Sequence, residues 1–372
     1  MNTTLSPFIK QRFQSLQYEF IPFVREELPT ISHKLEQVIR VLEWSHVESE
    51  VYFYRGSVVG RPPSDRCALA CSFVAKSVLG IVTTEALIER LEIDRALRRI
   101  CGFCVYKKLP KKSTFSRAFA EFAASGLMVR VHENMVKQNL GDVLIGHLSR
   151  DATMIPARER VPKKDSEPTL KPAAKNRGRP RKDTLVVEKV IVLTAVEKQR
   201  TQTLTEMLKD LPKHCSIGTK MNAKGFKEST KGYKLHLDTA CCGVVVSAYL
   251  TGAEVHDSRV ALPLSLISEK RVTACYEVMD AGYCSGAIRA FVREKGRVPL
   301  IDHNKRKGEK NEFCPAEAQR YKVRSGAERS NARLKDEFGG RVIYYRGHDK
   351  VMSHLMFGLV AQTADQLMRL LV

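Results

Sequence analysis

Two β-rich runs lie back to back between residues 232 and 250. Gly232-Tyr-Lys-Leu-His-Leu-Asp238 alternates apolar and polar side chains, and Gly243-Val-Val-Val-Ser-Ala-Tyr-Leu250 is β-branched enough to be a core strand. Cys242-Gly243 forms a hairpin-like turn between them. After this pair, strand and helix patterns alternate. The spacing predicts helices over 257–266 and 285–295, and strands over 272–279 (ending in Asp280) and 298–301. A long helix over 315–338 and a closing helix over 351–371 follow. Upstream, residues 146–155 form a short strand candidate and 190–211 one or two helices. A hairpin followed by alternating strands and helices implies one mixed sheet flanked by helices, an α/β domain over 146–372.

Residues 1–145 carry helical patterns only, so a separate all-α N-terminal domain is expected. Predicted helices there include 26–44, 66–79 and 84–99, the last with a Thr cap. In Leu109-Pro-Lys111-Lys112-Ser113-Thr-Phe115-Ser-Arg117-Ala-Phe119-Ala-Glu-Phe122, Ser113 is a plausible N-cap, with Phe115, Phe119 and Phe122 on one buried face. Lys111, Lys112 and Arg117 gather at the helix start, where phosphates also settle. A helix-turn-helix-like DNA reader and a helical bundle with a basic edge both fit. Residues 156–184 are rich in Pro, Lys and Arg, the texture of a flexible basic insert reaching to about 185. Within it, Arg177-Gly-Arg179-Pro-Arg181-Lys has the form of a minor-groove hook, or of a basic linker.

The charge balance narrows the partner. Of 372 residues, 62 are Lys or Arg and 41 Asp or Glu, a formal charge of +21. Basic residues spread along the whole chain suit a polyanion; an anionic membrane would favour one basic amphipathic helix. No signal peptide is indicated at the N-terminus, and His354, Gln362, Asp365, Gln366 and Arg369 break the apolar C-terminal run, which suits a packed helix rather than a span. The ten cysteines are expected to be reduced thiols, mostly small core residues. Cys67-x3-Cys71 falls in an apolar helix, and Cys101-Gly-Phe-Cys104 lacks the turn chemistry of a zinc knuckle.

Chemistry concentrates in Tyr321-Lys-Val-Arg324-Ser-Gly-Ala-Glu328-Arg-Ser-Asn-Ala-Arg-Leu-Lys335. On a regular helix, Tyr321, Arg324, Glu328 and Lys335 fall within roughly 60° of one face. One carboxylate between two cations and a phenol can hold a hard metal ion beside a phosphodiester, with Arg and Lys neutralising phosphate oxygens; a basic amphipathic helix with a chance Glu is the plainer reading. A two-metal site needs further carboxylates on rigid strands, and Asp151, Asp238, Asp257, Asp280 and Asp302 are the candidates. Asp151 is followed by small Ala152 and Thr153, and Asp280 precedes Ala281-Gly282-Tyr283, where Gly permits close approach. These two are preferred, with Asp257, otherwise a helix N-cap, as the alternate. Asp238 lacks small neighbours on its N-terminal side, and Asp302 adjoins the basic run 305–307.

Together, Asp151-Ala-Thr, Asp280-Ala-Gly-Tyr and the Tyr-x2-Arg-x3-Glu-x6-Lys segment resemble the DDE transposases of bacterial insertion sequences that carry a Tyr-Arg-Glu-Lys signature. The similarity extends over most of the chain. It takes in Gly60-Arg-Pro-Pro, Ile100-Cys-Gly-Phe, the 109–116 segment, the 175–182 basic run, Gly232-Tyr-Lys-Leu-His-Leu-Asp and Val255-His-Asp-Ser. The resemblance implies an RNase H-like catalytic domain preceded by a helical DNA-binding region. It implies a Mg²⁺ or Mn²⁺ dependent site, with two ions held by Asp151, Asp280 and Glu328. Arg324 and Lys335 would contact phosphates, and Tyr321 would hold the element's end. The implied reaction cleaves DNA at the element's ends and joins the freed 3′-hydroxyl to target DNA. The implied setting is a homodimer on double-stranded DNA in the bacterial cytoplasm, at the nucleoid. A nuclease without strand transfer and a non-catalytic DNA-binding derivative are the alternatives. The chain departs from the family at Thr230-Lys231, where an aromatic residue is common, and at Cys284, where an acidic one is.

Overall fold

A computed structural model describes residues 31–51, 64–162, 193–221, 224–304, 309 and 311–370. Arg177, Arg179 and Arg181, with most of the basic insert, lie outside them. The sheet has six strands: β1 (Leu144–Pro156), β2 (Ser216–Met221), β3 (Lys227–Ala240), β4 (Val245–Gly252), β5 (Thr273–Met279) and β6 (Val298–Ile301). β1 is central, antiparallel to β3 and parallel to β5, which is parallel to β6. β3 carries β2 along its first half and β4 along its second. The residues 241–243 make the β3–β4 turn. Gly243 sits at φ +83°, a left-handed conformation open to glycine, so β4 begins at Val245 rather than at the glycine. β2 was not expected; Ser-Ile-Gly-Thr-Lys-Met is too polar to announce a strand, and pairing with β3 alone defines it.

Helices cover both faces. The described N-terminal helices are α1 (His33–Ser45), α2 (Arg66–Val78), α3 (Thr84–Ile93), α4 (Arg95–Ile100), α5 (Lys112–Ala124) and α6 (Leu127–Leu140). Two short helices, α7 (Ala195–Gln199) and α8 (Leu204–Lys209), precede β2. The crossovers are α9 (Ser258–Glu269) and α10 (Gly286–Glu294), and α11 (Pro315–Tyr321), α12 (Ser325–Glu337) and α13 (His348–Arg369) close the chain. The expected helix over 84–99 is two helices, because the Asp94 carboxylate accepts from Leu97 N at 2.9 Å and caps a new one. Ser113 is not the N-cap of α5; Lys111 holds that place, its carbonyl accepting from Phe115 N, without a side-chain cap bond.

One core joins the N-terminal helices, α13 and one sheet face. Phe73 lies at its centre, with ring centroids 6.1, 4.9, 6.5 and 5.7 Å from Phe115, Phe119, Phe122 and Phe357. Burial of each such ring contributes about 1.5–3 kcal/mol. Tyr233, Leu235 and Leu237 of β3 point into this core, whereas His236 and Asp238 point to the other face, beneath α9. The polar residues of α13 are tied off inside: His354 Nε2 meets Gly339 O at 3.0 Å, Gln362 Nε2 donates to Ser330 O at 3.1 Å, and Asp365 accepts from Gln37 and Arg333. No helix among the described residues is long and apolar enough to cross a membrane. Four of the ten cysteines are buried (Cys67, Cys71, Cys101, Cys215); the other six are half-buried or exposed, so core filling accounts for fewer of them than expected.

Candidate active site

Helix α12 buries Ala327, Ser330, Asn331 and Leu334, a stripe at helical spacing, against the sheet. It lies along β1, whose alternate residues Ser149, Asp151 and Thr153 face it. Ser149 Oγ donates to Val323 O at 3.3 Å, Asn331 Nδ2 to Asp151 Oδ2 at 2.9 Å, and Lys335 Nζ to Thr153 Oγ1 at 2.6 Å. Ser149 pairs with Val278 on the parallel neighbour β5, so Asp280, two residues on, comes level with Asp151. Asp280 Oδ1 accepts from Gly282 N at 2.9 Å across the tight turn Ala281–Tyr283. A Cβ at position 282 would stand 3.0 Å from that same oxygen, so the glycine makes room for the carboxylate itself.

Both carboxyls are held partly out of water. Burial raises the Asp151 pKa above the usual range; the bond from Asn331 and the charge of Arg324 oppose this, and Asp280 adds to it. Burial likewise raises Asp280, with the charge of Asp257 adding and Arg324 and Lys220 opposing. Two like charges thus lie near each other, both partly buried, with the Arg324 guanidinium acting on each.

The expected unbroken helix over 315–338 is interrupted. α11 ends at Tyr321, Lys322–Arg324 form a 3-10 turn, and α12 starts at Ser325. The tighter turn shifts the phase between Tyr321 and the residues after it, so the four signature positions do not share one regular helix face. The Tyr321 ring packs on Phe313 at 4.9 Å with the Arg324 guanidinium 6.0 Å above it, and burial pushes its phenol up to about 12. Arg324 is ion-paired with Glu328, and their side chains are 24% and 53% exposed. Burial draws the Arg324 pKa down, but Glu328, Tyr321 and Asp151 outweigh it and the net shift is upward. Burial lowers Lys335, with Arg341 and Lys220 adding to the effect.

The structure therefore brings Asp151, Asp280 and Arg324 together and sets Lys335 beside Asp151, while Glu328 reaches the group only through Arg324. Among the described residues, no three His, Cys, Asp or Glu side chains converge as a metal-binding group. The all-oxygen donors Asp151 and Asp280 nonetheless suit a hard divalent cation. Beside them, Asn331 is 5% exposed and its Oδ1 is buried without a hydrogen-bond partner. On chemistry Asp151 and Asp280 fit such an ion, while Glu328 is ion-paired with Arg324.

The other acidic candidates differ. Asp257 occupies the N-cap place of α9 but makes no capping bond; it accepts from Lys234 Nζ at 3.0 Å, and its charge reaches Asp280 and Tyr283. Asp238 is fully buried beneath the sheet in a pair with Arg150. Asp302, just past β6, accepts from His303 N at 2.8 Å. On the helical half, Lys111, Lys112 and Arg117 are exposed at the start of α5. Lys112 is ion-paired with Glu85, and Arg117 Nε donates to Ser113 O at 3.4 Å. Asn331 and Lys220 escaped the sequence reading. Asn331 stands three residues after Glu328 and four before Lys335, a spacing that puts it on their side of α12.

Two family profiles match. The one described as Transposase DDE domain covers residues 147–363, and the one described as Transposase domain (DUF772) covers 23–121. No curated protein and no solved structure matches the chain. The first profile spans the sheet, α12 and most of α13, more than half of the chain and every residue of the cluster just described, and the chain belongs to the Transposase DDE domain family.

Proposed function

We propose that this transposase cuts DNA at the ends of its element and transfers the 3′-hydroxyl to target DNA, using Asp151, Asp280 and Glu328 to hold two divalent ions, Mg²⁺ or Mn²⁺. The observation that carries this reading is the pair Asp151 and Asp280, level on adjacent parallel strands, both with raised pKa, and facing Arg324. The strand order β4-β3-β1-β5-β6, with β1, β5 and β6 parallel, supports an RNase H-like architecture. When bound, the ions would activate the attacking oxygen and stabilise the leaving one. The chain's own residues do the rest. Asn331 orients the Asp151 carboxylate. Arg324 exchanges Glu328 for a phosphate oxygen, freeing that carboxylate to complete the ligand set. Lys335, half-buried and tethered to Thr153, presents its ammonium to the next phosphate. Tyr321, its ring packed at a tilt against Phe313, holds the transposon end.

In this reading the helices of residues 1–145 bind double-stranded DNA through Lys111, Lys112 and Arg117, the insert adds Arg177, Arg179 and Arg181, and a homodimer pairs the two ends in the cytoplasm. The test uses duplexes copied from the DNA that brackets the reading frame, with Mg²⁺ and a target plasmid. Cleavage together with joining of a labelled 3′-end is expected, and Glu328→Gln should keep end binding while losing both steps. Cleavage without joining would reduce the proposal to a nuclease; equal activity of Asp280→Asn and wild type would leave a DNA-binding derivative.

A further inference from the structure

Strands β2 and β3 form a hairpin that extends past the sheet. β1 stops pairing at Pro156 opposite Gly232, whereas β2 goes on pairing with β3 from Gly232 out to Lys227. The hairpin therefore leaves the sheet at the C-terminal end of β1, and β5 runs parallel to β1, so this is the end that carries Asp280. Its root is fixed. Ser216 Oγ accepts from Glu254 N at 3.0 Å, and a Cβ at Gly218 would fall 2.3 Å from Ala253 O and 2.6 Å from Met154 Cε. Its outer part is exposed: Met221 is 63% and Phe226 68% accessible.

The charge of the arm is mostly positive, with Lys227 and Lys231 on one face and Lys220 on the other. Residues 216–231 contain four lysines, Lys220, Lys224, Lys227 and Lys231, all exposed, against the single acid Glu228. Lys220 on the arm is within electrostatic reach of both Asp280 and Lys335. Basic side chains with exposed apolar ones at the tip suit a nucleic acid strand, phosphates on the lysines and bases on the ring and thioether.

We propose that the β2–β3 hairpin is a DNA-binding arm that grips the phosphates next to the scissile one and lays Met221 and Phe226 against the adjoining bases. This rests on the site being a DNA-cleaving one. The test is end-duplex binding by the full chain, titrated with salt. Replacing Lys220, Lys227 and Lys231 together by Ala should reduce the slope of log K against log [salt] by about 2–3, at roughly 0.9 per phosphate contact. Phe226→Ala should weaken binding about 5–150-fold with the slope unchanged, as loss of a stacking contact does. Equal melting temperatures check that the variants fold, and Lys220→Gln alone, expected to lower the slope by about 1, serves if the triple variant melts early. Wild-type slopes in the triple variant or the single one would overturn the proposal while leaving cleavage in place. Failure of the wild type to bind or cleave the duplex would instead remove the reading beneath it.

Discussion

Arg150 and Asp151 are neighbours in β1 that point to opposite faces of the sheet, and their surroundings could hardly differ more. Beneath the sheet, Arg150 is 1% exposed and donates to both Asp238 oxygens at 2.7 and 2.7 Å and to Ala261 O at 2.8 Å. Glu277 stands 3.3 Å away and is itself held by Arg297 at 2.6 Å and Ser265 at 2.5 Å. Ser268 closes the group on Asp238 at 2.7 Å. Above the sheet, Asp151 has Asn331 as its hydrogen-bonded side-chain partner and the like charge of Asp280 nearby. Charges below are directly ion-paired within the protein; above, Asp151 and Asp280 repel each other and are offset by the charges of Arg324, Lys335 and Lys220 around them. A buried polar group that the protein leaves unmatched marks the place where a ligand can supply the match.

Substitutions can break this contrast from either side. The largest effect is expected at Asp280→Asn, which should slow end cleavage by about 10³-fold or more, some 4 kcal/mol, while DNA binding persists; a cleavage assay beside a gel shift reads both. Arg150→Met should unfold the protein more easily by about 3–5 kcal/mol in urea, because Asp238 and Glu277 lose their shared cation. Adding Asp238→Leu to Arg150→Met should recover part of that loss, and no recovery would mean that the network acts through shape rather than charge. Asn331→Ala should lower metal affinity about 10–100-fold, as loss of an orienting partner does, measured by calorimetric Mn²⁺ titration without DNA.

The smallest effect carries the sharpest sign. A carboxyl whose folded pKa is raised favours the native state when protonated, and that contribution is lost as pH rises through the folded pKa. Asp151→Asn removes the ionisation, so it should raise the metal-free melting temperature by about 2–4 °C at pH 7, near 1 kcal/mol. The gain should vanish below the carboxylate range, where wild-type Asp151 is itself neutral. A variant less stable than wild type at pH 7 would show Asp151 to be as well matched as Arg150.

Much of this was legible in the chain. The alternation over 232–238 gave the buried and polar faces of β3, and the Phe115, Phe119, Phe122 spacing gave the core face of α5. The motif around Asp280 was read at its strand end, and the polar interruptions of the C-terminal run fitted a packed helix, as found. Other points were not legible. Asp257 has the sequence of a cap yet bonds Lys234, and the signature helix breaks at Lys322–Arg324. In both cases a local preference yields to a partner brought from elsewhere.

The sequence by itself determined which residues alternate, which share a helical stripe and where Asp151, Asp280 and Glu328 stand along the chain, because spacing and side-chain chemistry are local properties. Tertiary structure alone decided the long-range pairings: Asn331 on Asp151 across 180 positions and Arg150 on Asp238 across 88. Such choices depend on how far each charge is taken from water and on which partner packing brings within reach, and neither is written in the spacing of residues along one strand or one helix.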